Sequence, residues 1–589
     1  MLFNKKNSKF IKIILKSRRF NVIKKQKCYN IYKCSILINY RLIFERMNTV
    51  ANNKKEQERQ ELHKTIWRIA NELRGSVDGW DFKQYVLGMM FYRFISENIT
   101  SYINKNEHKS GNKDFNYEDL SDEKAENARK QVVEEKGFFI LPSELFSNVA
   151  GKAEQDENLN TTLETIFNNI ESSASGTDSE DNLKGLFDDL DVNSNKLGRT
   201  VIDKNKKLAK LMISIKELKI GKYVDNTIDA FGDAYEYLMT MYAKNAGKSG
   251  GEFFTPQEVS ELLARIAIID FGSKYKDGKG KVVIPDKKKI EKVYDPACGS
   301  GSLLLKFAKI LGKENVKLGF FGQEINLTNH NLSRINMFLH DINFEKFDIA
   351  HGDTLLNPVH WDDKPFEAIV SNPPYSIHWE GDANPLLIND ERFSPAGVLA
   401  PKSKADYAFV LHMLSWLSSN GTAAIVCFPG ILSRKNAEKK IRKFLVDNNY
   451  VDTIIQLPND LFFGNTISTA IMVLRKNKTE NKIQFIDASK DFVRINTKNK
   501  LTDENIERIL EAVRYRNDED YFSRYVDINE VAEKDYNLSV NTYVAIENIE
   551  EKINIKELNK EIKEIVKRVD SLRKSINEIM LDLEGDDDE

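Results

Sequence analysis

The chain has 589 residues, of which 41% are hydrophobic and 30% charged, and its formal net charge is −2. That length corresponds to roughly three to four domains, and no apolar run approaches the ~20 residues needed to span a membrane. The near-neutral balance excludes a globally basic nucleic-acid binder, so any contact with DNA must use a local groove or a partner's surface.

The four cysteines, Cys28, Cys34, Cys298 and Cys427, include no C-x-x-C pair. They indicate neither a disulfide framework nor a zinc site, and a reducing, cytoplasmic setting is expected. The eight histidines show no metal-ligand spacing, and no metal is expected.

Residues 1–46 carry 13 Lys/Arg against one acid, Glu45, leaving 74 bases against 88 acids, or −14, in the remainder. An acid-poor basic leader is typical of organellar transit peptides. The expectation here is a natural start at Met47, with the upstream stretch disordered or not native. Residues 47–220 are expected to form an N-terminal helical domain. Tyr85, Val86, Met89, Met90 and Ile95, with Phe82, follow one amphipathic helical face. Such stripes are core, and no chemistry is assigned to them. The polar, acidic stretch 172–183 is expected to be a loop.

A catalytic domain is expected over residues 221–480. Gly247-Lys248-Ser249 is not a phosphate loop, because the glycine required five positions earlier is Tyr242. Glu252-Phe253-Phe254-Thr255-Pro256-Gln257 follows. Thr255 is predicted to cap a helix, with Pro256 at its first position and Glu258 completing a capping box. Capping leaves the two loop phenylalanines unexplained.

A strand is then predicted to enter Asp295-Pro296-Ala297-Cys298-Gly299-Ser300-Gly301-Ser302, followed by an apolar helix over residues 303–311. Glycines at this turn let a ligand approach the backbone and the helix N-terminal amides. The third glycine of a dinucleotide fingerprint is absent, since position 304 is Leu304, and this argues against NAD or FAD. A second strand, 317–323, ends in Glu324, at a distance suited to ribose hydroxyls. A third, 347–352, ends in Asp353. A fourth, 366–370, ends in Asn372-Pro373-Pro374-Tyr375, where two prolines without amide donors stop the sheet ladder. What emerges there is a side-chain amide, free carbonyls and an aromatic ring, a set suited to gripping a planar base. Further strands are predicted at 422–428, 451–457 and 469–474.

Alternating strands and helices imply a doubly wound, Rossmann-like α/β sheet with ligands beyond the strand carboxyl ends. Residues 481–545 are a connecting region. Residues 546–589 form a terminal helix and acidic tail, with Ile555, Leu558, Ile562, Ile565, Val569, Leu572, Ile576, Ile579 and Leu583 spaced as a coiled-coil seam.

Phe-Phe-Thr-Pro, Asp-Pro-Ala-Cys-Gly-Ser-Gly, Glu324, Asp353 and Asn-Pro-Pro-Tyr, in this order, resemble the N6-adenine DNA methyltransferases. More narrowly, the chain resembles the modification subunit of type I restriction–modification systems. The likeness runs from Met47 to the C-terminus and includes Leu186-Phe187-Asp188-Asp189 and Asp535-Tyr536-Asn537-Leu538-Ser539-Val540. It implies S-adenosylmethionine as cofactor. Glu252, Phe253, Phe254, Thr255, Pro256 and Gln257 would border its methionine end. Asp295 with Gly299, Ser300, Gly301 and Ser302 would hold its amino-acid and sugar portions, Glu324 its ribose and Asp353 its adenine. Asn372 and the Pro373 carbonyl would hold the target N6 amino group, with Pro374 shaping the turn and Tyr375 stacking on the flipped base.

Cytosine-C5 transfer needs a thiolate, usually after proline, and Cys298 and Cys427 follow Ala297 and Val426. N4-cytosine transfer remains open chemically, although Asn at position 372 favours adenine. Only about 45 residues separate Tyr375 from the fifth strand, and about 115 follow the seventh. The resemblance implies that a separate specificity subunit reads double-stranded DNA, bound by two modification subunits, with a motor-nuclease subunit joining for restriction. A protein-glutamine methyltransferase and an inactive docking scaffold are the alternatives.

Overall fold

Strand β1 (Ile290–Asp295) is buried on both faces, with Val293 packing into one hydrophobic core and Tyr294 into another. A strand covered on both sides belongs in the middle of a layered sheet. The computed structural model describes residues 60–68, 81–218, 230–245, 255–278, 280–462, 467–495, 498–545 and 555–585. The basic leader, Glu252, Phe253 and Phe254 lie outside these residues.

The sheet has nine strands. After β1 come β2 (Val316–Glu324), β3 (Phe347–His351), β4 (Phe366–Ser371) and β5 (Leu417–Cys427). They are followed by β6 (Val451–Gln456), β7 (Ala470–Leu474), β8 (Lys482–Asp487) and β9 (Ser523–Asp527). Their spatial order is β9-β8-β6-β7-β5-β4-β1-β2-β3. β7 runs antiparallel to both β5 and β6, β9 runs antiparallel to β8, and the other pairs are parallel. The chain reverses its winding between β1 and β4, the point at which a crevice opens above an α/β sheet. Strands β8 and β9 extend the sheet into 481–545, the stretch expected only to connect.

The N-terminal region supplies helices α1 (Asp81–Lys109), α2 (Leu159–Ser172) and α3 (Val201–Lys216). Tyr85, Val86, Met89, Met90 and Ile95 of α1 are buried as their spacing predicts. The stretch 172–183, expected as a loop, ends in a one-turn helix, Glu180–Leu183. Next come α4 (Ala230–Asn245), α5 (Gln257–Ala267), α6 (Ser302–Leu311) and α7 (Leu327–Leu339). The N-terminal helices share one core with α5, α6, α7 and α10 (Asp503–Tyr515). The other face is covered by α8 (Asp406–Trp416), α9 (Ala437–Asp447) and loop 376–405. Asp189 joins the helical region to the sheet domain: its carboxylate accepts from Thr328 Oγ1 at 2.9 Å and Asn331 Nδ2 at 3.2 Å, both on α7. Helix α11 (Ile555–Gly585) carries exposed Ile562, Ile565, Val569, Leu572 and Ile576. No described helix is long and apolar enough to cross a membrane.

Candidate active site

The tips of β1, β2, β3 and β4 carry Asp295, Glu324, Asp353 and Asn372 to one edge of the sheet, and hydrogen bonds tie these turns together. Ser371 Oγ, the last side chain of β4, donates to Asp295 Oδ1 at 2.8 Å. Thr354 Oγ1 donates to the Pro296 carbonyl at 2.6 Å, and Gly352 N to the Glu324 carbonyl at 2.9 Å. The Glu324 carboxylate accepts from Gly299 N and Asn326 N, both at 2.9 Å. Asp353 Oδ1 accepts from Leu355 N at 2.8 Å and Leu356 N at 3.3 Å.

The glycine turn between β1 and α6 is tight. Gly299 and Gly301 have φ of 53° and 74°, in the left-handed region that favours glycine. A Cβ on Gly301 would lie 3.2 Å from Met337 Cε and 3.3 Å from Ser333 Cβ. Asn336 Nδ2 donates to the Ser300 carbonyl at 2.8 Å, fixing the turn from α7. Ser302 opens α6, whose first amides have no acceptor within the helix.

Thr255 does not cap a helix. Helix α5 starts at Gln257 with Pro256 before it, and no side chain caps it. The Thr255 hydroxyl instead accepts from Asn372 Nδ2 at 3.1 Å. A tertiary partner has displaced the local capping pattern. Tyr375 Oη donates to Asn372 Oδ1 at 2.7 Å, and the Tyr375 ring packs against the core. Burial, then the neighbouring Cys427 and Asp406, push the Tyr375 phenol above its ordinary range, so it stays protonated. Among the described residues nothing donates to the Pro373 carbonyl.

Several buried polar atoms here lack partners, a state that proteins rarely leave uncompensated. They include Asp295 Oδ2 and both amide atoms of Gln257. Burial pushes the Asp295 carboxyl up to about 7 despite its bonds from Ala297 N and Ser371. Glu324 is also raised, again chiefly by burial. Beside Asp353 a cleft of about 590 Å³ opens, lined by Leu356, His378, Trp379, Asn384 and Lys402. The unpartnered donors and acceptors and the glycine turn fit a ligand with polar groups along its length, such as an amino acid joined to a sugar.

Three neighbours of the site went unread in the sequence. Ser371 was hidden as the last residue of an apolar run. Asp406, at the start of α8, accepts from Ser376 N at 3.2 Å and has its second oxygen buried without a partner. An acid in a first helical turn is the signal that marks it, but so common a one that it does not distinguish Asp406. Arg392 lies in a loop with no periodic pattern. Histidine spacing also missed Asp348, His360 and Asp363, whose ligand atoms lie within 4.8 Å of one another. That group sits by the start of β3, away from the strand tips.

The model of the N-6 DNA methylase family matches residues 226–552, and that of the HsdM N-terminal domain matches residues 62–215. The methylase subunit of the type I restriction enzyme MpnII from Mycoplasma pneumoniae is 48% identical over 91% of this chain and 98% of its own length. The MjaVII methylase subunit from Methanocaldococcus jannaschii is 33% identical over 58% of this chain and 57% of its own. Among solved structures, the type I restriction–modification methyltransferase subunit from Streptococcus thermophilus superposes with a TM-score of 0.72. It is 34% identical and covers 82% of this chain and 99% of its own.

Proposed function

The chain belongs to the N-6 DNA methylase family, as a type I restriction–modification methylase subunit that modifies adenine in DNA, and from that premise we propose how its residues share the work. The methyl donor is S-adenosylmethionine. The single observation that carries the reading is the Ser371–Asp295 bond, which sets the Asn372 turn directly beside the Asp295 turn.

S-adenosylmethionine supplies a methyl group on a sulfonium sulfur, activated for in-line displacement. Asp295, the 299–302 turn and the Gln257 amide would hold its amino-acid end, Glu324 the ribose hydroxyls and Asp353 the adenine. Phe253, Phe254, Thr255 and Pro256, with Glu252, border the methionine side. Each Glu324 oxygen already accepts one backbone N–H and retains lone pairs for a hydroxyl.

Adenine N6 is a weak nucleophile because its lone pair is delocalised into the ring. Asn372 Oδ1 and the Pro373 carbonyl accept its two N–H groups and localise that pair on nitrogen. With the cofactor bound, the N6 lone pair would take the methyl carbon as sulfur departs as the neutral thioether, and the N6 proton would pass to solvent. Tyr375 Oη must first leave Asn372 Oδ1, which frees its ring to stack on the extruded base. Holding both partners in one geometry supplies much of the rate.

Catalysis belongs to residues 221–480, with 47–220 and the terminal helix in 546–589 as docking elements and 481–545 between them. A separate specificity subunit reads double-stranded DNA and binds two copies of this chain, and a motor-nuclease subunit joins for restriction. The exposed seam of α11 is the surface that supports a protein partner.

Asn372→Ala is the direct test. Methyl transfer to DNA should be lost while S-adenosylmethionine still binds, measured by tritium transfer and by calorimetry. Normal transfer by this variant would refute the mechanism.

A further inference from the structure

Loop 376–405 leaves the Asn-Pro-Pro-Tyr turn, crosses one face of the sheet and returns at α8. At its centre Arg392 is buried, with 1% of its side chain exposed. All five donors of its guanidinium are used. Nη1 donates to the Thr354 carbonyl at 2.8 Å and to His412 Nδ1 at 3.3 Å. Nη2 donates to the Leu355 carbonyl at 2.7 Å and to Asp390 Oδ2 at 2.7 Å, and Nε donates to Asp390 Oδ1 at 3.0 Å.

Thr354 and Leu355 form the turn that orients Asp353. The Leu355 amide holds Asp353 Oδ1, while the Thr354 and Leu355 carbonyls point back to Arg392. The same guanidinium is linked to β1 through His412 of α8. A guanidinium cannot accept, so His412 Nδ1 is the acceptor, and burial with the Arg392 charge keeps the imidazole neutral. Its remaining N–H, on Nε2, then donates to Tyr294 Oη at 3.0 Å, next to Asp295.

We propose that Arg392 is a positioning residue for recognition of the cofactor's adenine: it locks the Asp353 turn to the loop that follows Tyr375 without itself touching the cofactor. This rests on the reading of Asp353 as the acceptor for the adenine amino group. A planar fork that spans two adjacent carbonyls and a carboxylate has no equivalent in lysine, whose ammonium is a single point. Removing it leaves the two carbonyls free to turn, and with them the carboxylate of Asp353.

The test compares affinity for S-adenosylhomocysteine with that for S-inosylhomocysteine, whose 6-position is a carbonyl, by calorimetry on the full chain. Wild type should prefer the adenosyl compound. Asp353→Ala should abolish the preference, and Arg392→Lys and Arg392→Gln should reduce it by about tenfold. The inosyl affinity should stay nearly constant, and kcat at saturating cofactor should stay within about threefold. If the Arg392 variants do not fold, Asp390→Asn, which loosens the fork while keeping both carbonyl bonds, should lower the preference by about threefold. Equal loss of both affinities in the folded variant tested, or an unchanged preference, overturns the proposal. If Asp353→Ala keeps the wild-type preference, the reading of Asp353 falls and the proposal falls with it. If Asp353→Ala loses it while the Arg392 or Asp390 variants do not, only the proposal falls.

Discussion

The Asn372 carboxamide donates through Nδ2 to the Thr255 hydroxyl at 3.1 Å, joining residues 117 apart in the chain. With Nδ2 engaged, Oδ1 is the accepting end of the amide, and it is held by the Tyr375 hydroxyl until a target N–H takes that place. Thr255→Val keeps the shape but leaves Nδ2 without its partner. An unmade buried hydrogen bond costs about 1–3 kcal/mol, so kcat is expected to fall by about ten- to a hundredfold. Thr255→Ser should restore most of it. Steady-state kinetics on an unmethylated duplex checks both, and equal activity in the Val variant would show that the amide needs no such support.

Tyr375 offers a second separation of roles. Its hydroxyl donates to Asn372 Oδ1, which in the proposed mechanism is the acceptor for the target amino group, and its ring is the proposed stacking surface. Tyr375→Phe removes the competitor and keeps the ring, so kcat/KM for DNA should be unchanged or modestly raised. Tyr375→Ala removes the stack, worth about 1–3 kcal/mol per base, and should cost about five- to a hundredfold in kcat/KM. A Phe variant as damaged as the Ala variant would mean that the hydroxyl acts on the base itself.

The acid positions and Asn372 were legible because each ends an apolar run, and in a doubly wound sheet such ends converge. Thr255 was misread because Thr-Pro-x-Glu is the same local pattern whether or not the hydroxyl has a distant partner. Arg392 could not be read, since its role depends on where a loop without periodicity crosses the sheet, and Asp406 carries only the common signal of an acid in a first helical turn. The insertion of β7 between β5 and β6, and the addition of β8 and β9, are pairings between strands that local pattern does not specify. The heptad spacing in α11 was plain, because period is a property of the segment alone.

Asp295 makes stability depend on pH in a definite direction. Its carboxyl has an ordinary pKa of 3.8 and is pushed up to about 7 by burial, so the folded protein holds this proton more tightly than the unfolded chain. The associated stabilisation is full below about 4 and is lost as pH rises through about 7. A displacement of about three units is worth on the order of 4 kcal/mol at most. Asp295→Asn, which cannot ionise, should therefore melt higher than wild type at pH 8 and show a flatter profile between pH 4 and 8. Differential scanning fluorimetry without cofactor reads this directly. Parallel profiles for the two proteins would place the Asp295 pKa near its ordinary value.

Helix α11 runs for 31 residues, about 46 Å at 1.5 Å per residue. Ile565, Leu572 and Ile576 along it are 61%, 58% and 56% exposed. A single amphipathic helix with its apolar stripe in water gains little from helix propensity alone, and most helical stability in proteins comes from packing that stripe. The stripe therefore calls for a second helix, and the specificity subunit is the partner proposed above. Removing the residues after Asn554 should abolish co-purification with that subunit. Ile565→Glu combined with Leu572→Glu should do the same without shortening the chain, by placing two charges in the seam. Affinity for S-adenosylmethionine should stay within about twofold in both variants, because Ile565 and Leu572 are exposed and none of the residues proposed to hold the cofactor lies in α11. Co-purification of either variant at wild-type yield would mean that the complex is held by another surface, and that α11 serves a different neighbour.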